Sequence, residues 1–101
     1  MNTKAIYTVH ENGKEHYFFS EHAGGFSYPF AVADFLHSLK GVLNDPMSPQ
    51  KGLCAAPMLE QMKGNYLFPE EIEGKELFTA VKKEQMFQLA VKEQASFGIE
   101  I

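Results

Sequence analysis

Four histidines, one cysteine and a single aspartate near one of them are the side chains with reactive or metal-binding chemistry to offer. The histidines are His10, His16, His22 and His37. A zinc site needs ligands converging to about 2.0–2.2 Å from one ion, usually completed by Cys, Asp or Glu. The sequence contains no HExxH, no HxH and no cysteine pair. His16 and His22, six residues apart, would be separated by about 20 Å on an extended strand. The spacing therefore predicts ordinary hydrogen-bonding histidines, with no metal and no cofactor. His22 meets His37 only if the chain folds back at Gly24-Gly25, and these two with Asp34 form the one polar site the spacing offers.

A nucleophilic set of Cys54, His37 and Asp34 can also be written down, because Asp34 and His37 fall three residues apart on one helix face. Such chemistry needs the thiol within hydrogen-bond reach of a base and an oxyanion site beside it. Cys54 sits instead in Leu53-Cys54-Ala55-Ala56, next to Pro57, a context that suits a small apolar packing position. No catalytic residue is assigned, and the lack of a reaction signature weighs against an enzyme. Gly24-Gly25 lacks the spacing and the lysine of a phosphate loop, so it reads as a plain turn.

The charge inventory narrows the partners. All nine cations are lysine, against thirteen carboxylates, for a net charge of -4. Arginine is the preferred residue for bidentate recognition of phosphate and guanine, so direct nucleic-acid binding is disfavoured. Glu70, Glu71, Glu73 and Glu76 read as a solvated, solubilising face. No apolar run reaches the ~18 residues of a membrane span, and no leader pattern opens the chain. A lone thiol fits a reducing compartment. The expectation is a cytoplasmic protein with no membrane association.

The elements that must position these groups begin with Pro29 to Lys40. Val32, Phe35, Leu36, Leu39, Val42 and Leu43 recur at i, i+3, i+4, i+7, i+10 and i+11, one stripe of a helix. Ser27 or Tyr28 suits the cap, Pro29 the first turn, and Gly41 a left-handed stop. Before the helix, Asn12-Gly13 marks a two-residue type I′ hairpin. Its register pairs Glu11 with Lys14, His10 with Glu15, Val9 with His16, Thr8 with Tyr17 and Tyr7 with Phe18. One face then carries Ala5, Tyr7, Val9, His16 and Phe18, and the other Ile6, Thr8, His10, Tyr17 and Phe19.

Beyond the helix, Asn44 to Pro57 reads as an ordered loop broken by its prolines. A short helix is expected over Pro57 to Lys63, with Met58, Leu59 and Met62 inward and Gly64 as its stop. Tyr66-Leu67-Phe68 reads as extended, and Pro69 to Glu73 as a turn. From Leu77 onward a helical stripe (Leu77, Ala80, Val81, Phe87, Val91) competes with alternation at Phe87, Leu89 and Val91. Gln85 to Lys92 is assigned to a strand, as are the last five residues.

These elements predict one small α+β domain over residues 1–101. An N-terminal β-hairpin and an amphipathic helix pack on a small antiparallel sheet completed by C-terminal strands. The hairpin is apolar on both faces, and one helix covers only one of them. That surplus predicts a protein-interaction or self-associating module, with Ile6, Tyr17, Phe19, Phe26 and Tyr28 as its surface and a protein partner or a homodimer as its complex. Two alternatives remain: a small enzyme or ligand binder using His22, Asp34 and His37, and an acidic decoy of a nucleic-acid-binding protein.

Overall fold

A computed structural model of the chain describes residues 4–25, 27–47, 49, 53–62, 76–85 and 95–101. Strand β1 (Ala5–Glu11) turns at Asn12-Gly13 into β2 (Lys14–Ser20). Both turn residues have positive φ, 54° and 77°, the geometry a type I′ turn demands and that Asn and Gly supply at least strain. The turn sets the pairing from Glu11 with Lys14 through Ala5 with Ser20, including every pair expected from the sequence.

Helix α1 spans Tyr28–Leu43. Ser27 is its cap residue but makes no side-chain cap bond, and Pro29 lies in the first turn, where a missing N–H is harmless. The expected stop at Gly41 is corrected: the helix runs through it to Leu43, and Asn44 closes it by donating its N–H to the Lys40 carbonyl at 2.9 Å. Leu43 explains the extension. It is fully buried one turn beyond Leu39, and that burial outweighs the roughly 1 kcal/mol that a helical glycine costs. Val42, by contrast, is 63% exposed and leaves the stripe.

A 3₁₀ helix covers Ala56–Gln61, with Leu59 and the following Met62 buried and Met58 half-buried, as the apolar spacing predicted. Strand β3 (Thr79–Val81) replaces the helical stripe expected at Ala80 and Val81. Two β-branched residues in three favour the extended form. The neighbouring Leu77 N–H is held by the Met62 carbonyl, and the Ala80 N–H donates to the Glu60 carboxylate at 3.2 Å. After it, Lys83, Glu84 and Gln85 are helical, and the Gln85 side chain reaches back to accept from the Lys82 N–H at 2.9 Å. That is half of a capping box, so the strand expected from Gln85 is corrected at its first residue. Residues 86–92 of that assignment lie outside the described residues, as do Gly64, Tyr66 to Phe68 and positions 69–73.

Strand β4 (Ala95–Glu100) completes a four-stranded sheet in the order β3-β2-β1-β4. The α+β architecture with its hairpin and C-terminal strand is as expected. The sheet is mixed rather than antiparallel throughout, because β4 runs parallel to β1, Ala5 beside Ala95 through His10 beside Glu100. Helix α1 lies over the β4 side and the 3₁₀ helix over β1, β2 and β3. Between them and the sheet sits the core, built on Tyr7, Val9, Phe18, Leu36, Leu59, Phe78 and Ile99. Tyr7 is its centre. Its ring meets Phe78 edge-on and Phe97 at a tilt, each at 5.1 Å between centroids, while its hydroxyl donates to the buried Ala23 carbonyl at 2.7 Å. Burial, with the Tyr28 hydroxyl nearby, pushes the Tyr7 phenol well above its usual range.

Candidate functional site

Side chains alternate across a strand, so the face turned away from α1 is fixed by the same register. It carries Thr79 and Val81 on β3, Glu15, Tyr17 and Phe19 on β2, Ile6, Thr8 and His10 on β1, and Ser96, Gly98 and Glu100 on β4. No described helix packs there. Ile6 is only 4% exposed, while Tyr17, Phe19 and Val81 around it are half-buried. Ile6, in the middle of the face, is thus already hidden within the chain, while Tyr17, Phe19 and Val81 remain partly accessible.

One corner of this face is polar. The Tyr17 hydroxyl donates to the Glu15 carboxylate, whose other oxygen lies 3.8 Å from Nδ1 of His10. The bond from Tyr17 holds the Glu15 carboxyl below its ordinary range, helped by His10 and by the charge of Lys83, and the same bond raises the Tyr17 phenol. On β4, a Cβ built on Gly98 would meet nothing within 4 Å, so that margin of the face is open.

Of the surface expected from the sequence, Ile6, Tyr17 and Phe19 share this face. Tyr28 does not: it opens α1 and packs on the core from the other side. Phe26 lies outside the described residues. Asp34 and His37 are exposed on α1, and His22 is half-buried just past β2. No hydrogen bond or ion pair joins any two of the three among the described residues, where no group of three potential ligands clusters as a metal site. Among the described residues, no hydrogen bond joins Asp34 or His37 to Cys54. Its sulfur lies 3.9 Å from the Asn12 side-chain amide, at the hairpin turn.

That contact belongs to a polar knot which hairpin reasoning alone missed. Glu11 is 1% exposed, yet carries a carboxylate. Its two oxygens accept the N–H groups of Ala55 and Ala56 at 2.8 and 2.9 Å, and Lys40 approaches one of them at 3.4 Å. Lys40 also donates to the Asn12 side chain at 3.3 Å. Burial alone would raise the Glu11 pKa, but the two backbone donors and the lysine outweigh it, and the carboxyl is held below its usual range. The knot ties α1, the hairpin turn and the start of the 3₁₀ helix together, with every buried acceptor used. It is architecture, with no room left for a substrate.

A cleft of about 360 Å³ opens where β2 runs past β3, walled by Phe18, Pro57 and Val81 and rimmed by His16, Glu60 and Lys82. Its size suits a small ligand. None of His22, Asp34 or His37 lines it. Nε2 of His16 and Nδ1 of His22 are buried without a hydrogen-bond partner among the described residues. Among the described residues, no helix is long and apolar enough to cross a membrane. Comparison of the chain with protein-family models, curated proteins and solved structures finds no match.

Proposed function

We propose that this chain is a protein-interaction module whose working surface is the sheet face turned away from α1. The observation that carries the reading is that, among the described residues, both helices cover the same face of the sheet. Helix α1 and the 3₁₀ helix both lie on the Tyr7 face, while Tyr17, Phe19 and Val81 stand half-exposed on the other. A sheet face meant only for water alternates cleanly to polar residues. This one instead presents two aromatic rings and a valine with a charged rim, the composition of an interface core.

Replacing Phe19 with the photo-crosslinker benzoylphenylalanine tests the reading in the native cell, because the new ring occupies nearly the same space. The expected result is covalent adducts with protein, of this chain or another, with none from the same residue at exposed Asp34 on α1. Equal or absent labelling at the two positions would remove the face from consideration.

A further inference from the structure

We propose that the cleft beside β2 binds an extended peptide segment, which takes the place in the sheet that β3 gives up after Val81. The site is the edge of β2 and not the face bearing Phe19, so it stands apart from the interface reading above.

The backbone directions follow from the pairing. In an antiparallel pair, opposed residues alternate between bonding each other and pointing their N–H and C=O groups away. His10 points away from β2, because its carbonyl accepts the N–H of Ile101, just past β4, at 2.9 Å. Its partner Glu15 therefore points away from β1, toward the line of β3, as do Tyr17 and Phe19. Those two find Val81 and Thr79 there. Ala80, between them on β3, points outward instead, with its N–H on the Glu60 carboxylate.

Glu15 finds no such neighbour. Continued by two residues, β3 would set position 83 opposite it, but Lys83 is helical and no backbone bond joins the two. Among the described residues, one N–H donor and one C=O acceptor of β2 are thus unused on a residue that lines the cleft. The cleft is open to solvent, since Ala80, Lys82 and Lys83 along it are exposed.

This pair of groups specifies the class of ligand. A residue of an antiparallel strand presents the reciprocal acceptor and donor at the same spacing, so one peptide residue closes two bonds with Glu15. The rim does not select net charge, because Glu15 and Glu60 balance Lys82 and Lys83. Shape selects further. Phe18 and Pro57 wall the cleft on the Tyr7 side of the sheet, and side chains alternate along a strand. The peptide residue next to the bonded one therefore turns its side chain toward that wall, which favours an apolar residue there.

Amide-resolved NMR of the full chain tests the proposal, with acetylated and amidated tripeptides Thr-Ala-Thr and Thr-Leu-Thr as probes. The expected result is a downfield shift and slowed exchange of the Glu15 amide proton, with the leucine peptide binding about tenfold tighter than the alanine one. An ester analogue of the leucine peptide that lacks the central N–H is expected to bind about tenfold more weakly. A Glu15 amide that stays unmoved at saturating peptide would overturn the proposal, and so would equal binding of the ester. Uracil carries an adjacent N–H and C=O without a strand, and an equal shift from it would assign the cleft to a small heterocycle and overturn the peptide.

Discussion

Glu11→Ala is expected to destabilise the fold by about 3–5 kcal/mol, because it removes one partner from a buried, fully used set of donors and leaves the others unpaired. Two backbone N–H groups, at Ala55 and Ala56, would lose their acceptor with no water to replace it, and Lys40 would lose its counter-charge. In a chain of 101 residues, a loss of that size lowers the melting temperature by about 15–30 °C. Calorimetry measures it directly. Glu11→Gln separates charge from shape, since the amide oxygen can still accept but the NH₂ group is set against at least one backbone N–H. It is expected to recover less than half of the loss.

The same carboxylate makes stability depend on acid. Its folded pKa lies below the ordinary value, so its contribution is complete above the unfolded pKa of about 4.3 and declines as pH falls through the lower, folded value. A melting temperature that falls steeply in acid for the natural chain, and more shallowly for Glu11→Gln, is the expected pattern. Parallel curves would assign the acid sensitivity to other carboxylates.

Phe19→Lys is expected to weaken protein binding through this face by about a hundredfold, because the complex would bury an ammonium group against the apolar surface that meets the phenyl ring. Four strands at ~4.8 Å spacing and about five residues of length give a flat footprint of roughly 300 Å² on this chain. A standard interface buries about 800 Å² per partner, so the complex is expected to be weak and in fast exchange. The folded monomer should tolerate the change, since Phe19 is already half-exposed and the lysine stem still covers Ile6. Retained circular dichroism with lost association is the expected outcome; an unchanged dissociation constant would place the contact elsewhere.

The parts of this fold that were legible in the sequence are those with local causes. Asn12-Gly13 admits one hairpin register, and the apolar spacing of Val32, Leu36 and Leu39 admits one helix face. The helix end was misread because Gly41 is a stop only when nothing beyond it is worth burying, and Leu43 is. Strand β3 spans three residues, too few to show a period. The parallel pairing of β4 with β1 joins residues some ninety positions apart, and no local pattern encodes such a partner.

That Ile6, Tyr17 and Phe19 share one strand face was legible for the same reason as the hairpin, through alternation. The knot at Glu11 did leave a trace. Glu11 continues the Ala5, Tyr7, Val9 row, so a carboxylate stood at a core position and called for donors, although nothing nearby in sequence identified Ala55 and Ala56 as those donors.

Solvent paramagnetic relaxation at Tyr17, Phe19 and Val81, measured on the labelled chain alone and in extract of its native cell, tests most directly whether this face meets a protein. The predicted result is protection of these three half-buried side chains in the extract, with no change at exposed Asp34. Equal relaxation of all four residues in the two samples would contradict it.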